Sequence, residues 1–397
     1  MPEIIPRRKR ICIVTPEYPP DQWGGLARTV ERVSVQTRDM GLETHVAQLG
    51  VDTASLVLLD ENRLSEKRDG ITIHRIRVGK QRMNDTARDI WDCPHTHTVR
   101  MMYQSLEILH SREKFDIFHS FFLYPTGYVS GLLAHRFRLP SIVTIVGNDI
   151  KKYTFSPEKA AVCRIGLENA DRVVALSRDL VEMADAIAPV EEKSRIIYNS
   201  VRVPDAYRTR DSCEGGSFRI GCAGIFKYAK GLPYLFKALA SLGKDRDVTL
   251  ELRGRLRESE RGVFLEMLER TGIGQRVVLL EPLEHNKIPD WLRTLDLFVL
   301  PSVSEGCPNI LMEAMASGIP SVATRTGAVQ ELIEDGVSGL TVPWGDSASL
   351  ATAISEMMDN PDKAWQMGSA ARIRMQAFSA DREFVAWKDL YKELIEF

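Results

Sequence analysis

No stretch of the 397-residue chain approaches the run of about 18 apolar residues that a membrane-spanning helix requires, so the sequence excludes one. The six cysteines (Cys12, Cys93, Cys163, Cys213, Cys222 and Cys307) include no Cys-x-x-Cys pair. Cys12 and Cys222 sit inside apolar strand-like runs, where cysteine behaves as a small hydrophobe. Together these features point to a reduced compartment and no structural zinc. An excess of one charge is also missing: the net charge of -2 argues against general nucleic-acid binding, which ordinarily leaves a strongly basic domain. No secretory apolar region precedes Arg7-Arg8-Lys9-Arg10, which run directly into the strand-like Ile11-Cys12-Ile13-Val14. A cytoplasmic location is therefore expected, and an exported solute-binding protein is disfavoured. Neither the first strand nor Phe218–Ala223 is followed by Gly-x-Gly-x-x-Gly, which argues against an NAD-dependent dehydrogenase.

Short Val-, Ile- and Leu-rich runs alternate with longer amphipathic stretches from end to end. In the first half the expected strands are Ile11–Thr15, Thr44–Leu49, Ile71–Val78, Phe115–Phe121, Ser141–Gly147, Arg172–Leu176 and Arg195–Tyr198. Several are continuously apolar, as in a parallel sheet buried on both faces. From Asn199 to Ser217 the chain turns polar, with a proline and a Gly-Gly, and this is the expected linker. The β-α pattern then restarts with Phe218–Ala223, Val248–Arg253, Arg276–Leu280, Leu297–Pro301, Pro320–Thr324 and Leu340–Val342. The expected organisation is an N-terminal Rossmann-like domain over 1–199, a linker over 200–217, a second such domain over 218–378, and a C-terminal helix over 379–397. Two doubly wound domains facing a central cleft would bind ligand at the C-terminal ends of their strands.

The most informative segment runs from Leu297 to Gly327. A buried strand breaks at Pro301-Ser302 and leads through Ser304-Glu305-Gly306-Cys307-Pro308 into a helix expected from about Pro308 to Ser317. Pro308 suits the first helical position, where a missing N–H costs nothing. Such a helix start offers free N–H groups and a positive dipole end to a diphosphate. Glu305 precedes the helix, and Glu313 lies roughly 7–8 Å further along its axis. Carboxylates accept hydrogen bonds from hydroxyls, so Glu313 would take the ribose and Glu305 the sugar of a nucleotide sugar. Two glutamates with this separation also occur by chance, and an early-helix glutamate is favourable through the dipole alone.

The whole segment resembles the retaining family-four glycosyltransferases, the group 1 glycosyltransferases of the GT-B fold. The shared residues are Glu305 and Glu313 with seven residues between them, then Ala314, Met315, Ala316, Gly318, Pro320, Val322 and Ala323. The stretch Gly221-Cys222-Ala223-Gly224-Ile225-Phe226-Lys227-Tyr228-Ala229-Lys230-Gly231 is similar to the family's first unit of the donor domain. The resemblance implies that Lys230 contacts the donor diphosphate; the plain alternative is a solvated lysine at a helix start. Ile225 stands where the family often has arginine, which leaves Lys227 or Arg253 to substitute. In the first half, Gly24 and Gly25, with Trp23 beside them, resemble the family's glycine loop. Asp116-Ile117-Phe118-His119 and Pro125-Thr126-Gly127 follow another family pattern, so His119 either faces the cleft or is a satisfied structural histidine. The family's Thr-x-His-Gly-x-Asp reads here Thr144-Ile145-Val146-Gly147-Asn148-Asp149, with Val146 unable to carry a proton.

The resemblance implies a last helix packed back on the first domain, and transfer of a sugar from a nucleotide diphosphate, uridine- or guanosine-linked in first place, to an acceptor hydroxyl with retention. Glu305, Lys230 and His119 are the expected catalytic groups. The donor set is Gly24, Gly25, Gly224, Lys227, Lys230, Arg253, Glu305, Gly306, Cys307, Pro308, Asn309, Ile310, Leu311 and Glu313. Trp23, Asn148 and Asp149 are expected at the acceptor, which is a small molecule, a glycan or a lipid-linked species. Other acceptor contacts are expected around Arg77–Tyr103 and Arg136–Tyr153. No cofactor and no metal are expected: no Asp-x-Asp is read in a loop that would hold an ion, and Cys93-Pro94-His95-Thr96-His97 has no partner cluster. Peripheral membrane contact through basic first-domain residues is conceivable, and the chain is expected to be a monomer or homodimer. A nucleotide-sugar epimerase or a glycoside phosphorylase on the same fold is the alternative reading.

Overall fold

The computed structural model describes residues 7–21, 24–52, 63–79, 94–207, 217–243 and 245–396. Trp23, Cys93, residues 80–93 of the expected acceptor region and residues 208–216 of the expected linker lie outside the described residues. The chain forms two compact units: Met1–Ile197 with Phe384–Phe397, and Tyr198–Glu383. Among the described residues no helix is long and apolar enough to cross a membrane.

The first unit is built on strands β1 (Arg10–Thr15), β2 (Glu43–Asp52), β3 (Arg63–Arg68), β4 (Ile71–Gly79), β5 (Ile117–Phe121), β6 (Ser141–Ile145), β7 (Arg172–Ala175) and β8 (Ser194–Ile196). Their order is β3-β4-β2-β1-β5-β6-β7-β8, and every pairing is parallel except β3 with β4. Successive side chains of a strand point to opposite faces. Ile11 and Ile13 of β1 accordingly enter one core, while Cys12 and Val14 enter another with Leu106, Phe118 and Leu133. Burial on both sides is the reason this strand reads as an unbroken apolar run.

The core under Ile11 and Ile13 is closed by the C-terminal helix Ala380–Leu394, through Trp387, Leu390 and Tyr391. Tyr391 also makes a polar anchor there, its hydroxyl 2.7 Å from His119 Nδ1, while Thr144 Oγ1 lies 2.8 Å from His119 Nε2. His119 is wholly buried. One strand was absent from the sequence reading. β3 reads RLSEKR and is largely exposed, so it lacks the alternation that betrays a half-buried strand. Its signal was Asp69-Gly70, both at positive φ, the pair favoured in a tight hairpin turn. The strand expected to end at Gly147 ends at Ile145, because the buried carboxylate of Asp149 captures the N–H groups of Val146 and Gly147 and opens the helix Asn148–Tyr153.

The second unit carries β9 (Phe218–Phe226), β10 (Val248–Leu256), β11 (Val277–Leu280), β12 (Leu297–Leu300), β13 (Ser321–Thr324) and β14 (Leu340–Val342), all parallel, in the order β11-β10-β9-β12-β13-β14. The chain builds outward from β9 to β11 and then resumes on the other side of β9. This reversal, between β9 and β12, is the switch point where open α/β sheets take ligands at their C-terminal strand ends. In the first sheet the same reversal falls between β1 and β5.

Two outcomes follow from the buried polar groups of the first unit. Tyr391→Phe leaves His119 Nδ1 without its partner and is expected to lower stability by about 1–3 kcal/mol, read from urea unfolding. Burial holds His119 and His74 down to about 3, from an ordinary value of 6.5. Below pH 6.5 the unfolded chain therefore binds protons that the folded chain refuses. Their contribution is full above that value and is lost as pH falls, by about 1.4 kcal/mol per pH unit for each histidine. Burial acts oppositely on Asp149, lifting it to about 6 against 3.8 although backbone N–H groups pull it down. Its protonation stabilises the fold as pH falls from 6 and offsets one histidine. From these three groups a net loss of about 1.4 kcal/mol per pH unit is expected between about pH 6 and pH 4 in urea titrations, and burial lowers His45 and His110 in the same sense. A flat profile there would contradict neutral burial of the two imidazoles.

Candidate active site

At the C-terminal end of β9 the chain makes a single turn, Tyr228–Lys230, before the helix Leu232–Ser241. The side chain of Lys230 runs past Gly224, whose missing Cβ would stand 3.6 Å from Lys230 Cε. Its ammonium reaches Glu305 in the loop after β12, with Nζ 2.7 Å from Oε1. Ser302 donates its hydroxyl to the same oxygen at 2.6 Å. Burial alone would lower the lysine's pKa, but the adjacent Glu305 carboxylate outweighs it and raises the value. The ammonium is therefore charged at any physiological pH. Two residues singled out from separate parts of the sequence thus form one ion pair at the switch point.

The backbone brings the two loops together. Gly231 has φ +69, and a Cβ there would fall 1.8 Å from the carbonyl oxygen of Pro301, so only glycine permits this approach. Val303 N–H donates to the carbonyl of Ala229 at 2.9 Å, a second tie between the loops. On the far side Gly327, at φ +53, leaves room where a Cβ would meet Gly306 O at 2.3 Å and Glu305 O at 2.5 Å. Ala328 N–H then donates to Gly306 O at 2.8 Å. In a trans peptide the C=O and N–H point in opposite directions. With the Gly306 carbonyl turned toward Ala328, the Cys307 N–H is aimed the other way. The next carbonyl, that of Cys307, accepts from Asn199 Nδ2 at 3.2 Å.

The helix that follows is Asn309–Ala316. Pro308 is its N-cap, with extended backbone at φ -77 and ψ 99, and not its first helical residue as the sequence suggested. The outcome for the helix end is the same, because no side chain caps it. The N–H groups of Asn309 and Ile310, which open it, lack intrahelical acceptors by geometry. Leu311 and Met312 N–H both turn back to the Pro308 carbonyl. Glu313 is half-buried in this helix, its Oε1 3.8 Å from Nδ1 of the exposed His285.

The other expected donor residues spread more widely. Arg253, in the second half of β10, lies with its guanidinium 5.3 Å from the ring centre of Trp291 and donates to Glu281 O at 3.2 Å. Lys227 is half-buried beside the Lys230 turn, and Ile225, where the family often has arginine, is 62% exposed. The sequence carries one Asp-x-Asp, Asp245-Arg246-Asp247. It precedes β10, at the opposite end of the sheet from Glu305, and Arg246 is paired with Asp359. Among the described residues no group of three or more His, Cys, Asp or Glu side chains is disposed to hold a metal ion. Cys93 and the side chain of His95 lie outside the described residues.

In the first unit Gly24 caps the helix Gly25–Asp39, and Asn148 is exposed at the start of its own helix. His119 and Asp149, expected to touch substrate, have no exposed surface. His119 spends both ring nitrogens on Tyr391 and Thr144. Asp149 accepts N–H groups from Leu123, Val146, Gly147 and Ile150. These two are framework residues, buried where substrate would have had to reach them. Sequence reasoning assigned no role to Ser302, although it ends the family-like stretch Leu297–Ser302, or to Asn199, which opens the polar stretch read as a linker.

Comparison with known proteins identifies the family. A family model described as "Glycosyl transferase 4-like domain" matches residues 24–200, and one described as "Glycosyl transferases group 1" matches residues 217–360. The D-inositol 3-phosphate glycosyltransferase of Streptomyces scabiei is 26% identical over 75% of this chain and 72% of its own. Sucrose-phosphate synthase from Thermosynechococcus elongatus superposes with a TM-score of 0.76 at 20% identity, over 98% of this chain and 99% of that one. Anabaena HepE, solved in complex with UDP-glucose, gives 0.70 at 20% identity, over 97% and 100%. Matched along both units, with the paired parallel sheets of the GT-B fold, the chain belongs to the group 1 glycosyltransferases.

Proposed function

We propose that this glycosyltransferase moves a sugar from a nucleotide diphosphate to an acceptor hydroxyl, with retention and without a metal ion. The observation that carries the reading is the Lys230–Glu305 pair beside an uncapped helix start. Breaking the donor's glycosidic bond leaves negative charge on the terminal phosphate and positive character at the anomeric carbon. Preorganised donors aimed at that phosphate are ordinarily the largest source of rate enhancement. Here they are the Lys230 ammonium, the outward Cys307 N–H, and the first N–H groups of the helix Asn309–Ala316. Glu305 accepts hydroxyls of the transferred sugar and keeps Lys230 in place until the diphosphate arrives. Glu313, further along the helix, takes the ribose hydroxyls.

The acceptor oxygen forms the new bond to the anomeric carbon as the carbon–phosphate oxygen bond breaks, on the same face. The departing phosphate oxygen takes the acceptor's proton, so no side-chain base is required. This sits with the buried, fully bonded state of His119 and with Val146, which has no proton to exchange. Uridine is the first base to test, since HepE was solved with UDP-glucose. A phosphorylated polyol is among the first acceptors to screen, given the Streptomyces relative's name.

Three measurements bear on this. UDP, or GDP if the base is guanine, is expected to raise the thermal midpoint progressively, with the logarithm of its concentration once that exceeds Kd. Lys230→Ala and Glu305→Ala are each expected to lower kcat by about 100-fold or more. Glu313→Ala should instead raise the donor KM by about 10-fold with kcat within a few-fold. Turnover of Lys230→Ala and Glu305→Ala both near wild type would remove the site. Fast donor turnover with no acceptor would favour an epimerase or phosphorylase.

A further inference from the structure

Asn199 is the second residue of the second unit, immediately after the chain leaves the first. It is 97% buried, being 3% exposed, and its amide nitrogen lies 3.2 Å from the carbonyl oxygen of Cys307, 108 residues away. The orientation is fixed by chemistry, since the amide oxygen would repel a carbonyl and only the NH₂ can donate. The neighbours hold the segment in place independently. Ser200 Oγ donates to Glu383 at 2.5 Å, Val201 N–H donates to Phe378 O at 2.9 Å, and the Tyr198 ring meets that of Phe378 edge-on at 5.3 Å. Asn199 therefore brings a fixed donor to the loop.

We propose that Asn199 is a positioning residue for the diphosphate cradle, fixing the plane of the Cys307–Pro308 peptide so that the helix start faces the donor. The proposal rests on the donor site described under the proposed function. Two consecutive carbonyls of the loop are then turned into the protein, Gly306 toward Ala328 and Cys307 toward Asn199. The Gly306 tie is backbone to backbone and survives any side-chain change. The Asn199 tie to Cys307 runs through a side chain. Losing the Asn199 donor therefore removes that hold on the peptide and blurs the aim of the helix start.

The test uses the full-length protein with UDP as probe, or GDP if only that binds wild type, and reads affinity by calorimetry at two pH values. At about pH 8 the ionised carboxylate of Asn199→Asp cannot donate and repels the Cys307 carbonyl, so affinity is expected to fall about 10-fold relative to wild type. At about pH 5.5 the buried carboxyl takes up a proton and donates again, and the ratio to wild type at that pH should return to within about 3-fold. Ser200→Ala loosens the same segment without touching Cys307 and is expected to bind within about 2-fold of wild type. Should the carboxylate prevent folding, Asn199→Ala is expected to lose about 5-fold. The proposal is overturned by wild-type affinity in Asn199→Asp at both pH values, by an equal loss at both, by an equal loss in Ser200→Ala, or by unchanged affinity in Asn199→Ala. If wild type binds neither UDP nor GDP, the donor-site reading fails first and takes this proposal with it.

Discussion

A lysine ammonium taken largely out of water must find a negative partner, and in the second unit Lys230 finds Glu305 at 2.7 Å. That contact joins the turn after β9 to the loop after β12, the two strands between which the order of the sheet reverses. Its geometry is underwritten by backbone more than by side chains. Gly231 lies against the Pro301 carbonyl, Gly327 lies against the Glu305–Gly306 peptide, and Val303 N–H is bonded to Ala229. Each contact fixes a peptide plane, and the planes together decide which way the N–H groups of the loop point. The chemistry of the site is thus a consequence of where carbonyl groups are hidden.

The first unit solves a different problem with the same means. It buries ionisable side chains and keeps them useful as struts. His119 links the sheet to the C-terminal helix through Tyr391, and Asp149 joins the end of β6 to the turn at Leu123. His45 and His74 stack on neighbouring strands with their ring nitrogens 3.0 Å apart. Such groups are costly to charge in place, which ties the stability of this unit to pH. In the second unit the paired charges sit at a partly exposed strand end.

Much of the fold could be read from apolar patterning, because strands buried on both faces leave continuous Val and Ile runs that no surface element imitates. β3 escaped this reading for the converse reason: an exposed edge strand needs no apolar face, and its charged residues guard the edge. The donor-side residues were legible because Glu305, Glu313 and Lys230 belong to dense local motifs. His119 and Asp149 lay in equally good motifs and proved to be buried. A motif specifies which side chain is present, and the depth at which it sits is fixed by the helices laid over it.

By itself the sequence determined two parallel-sheet domains, the position of the helix proposed to bind the diphosphate, and the residue types around it, since periodicity and local spacing are written in the chain order. The tertiary structure alone decided that Lys230 and Glu305 meet, that Pro308 caps the helix without entering it, and that Asn199 reaches Cys307. Each of these depends on peptide orientation at a point where two distant segments touch. Peptide orientation is set by packing and by backbone hydrogen bonds, and neither leaves a mark in composition or period.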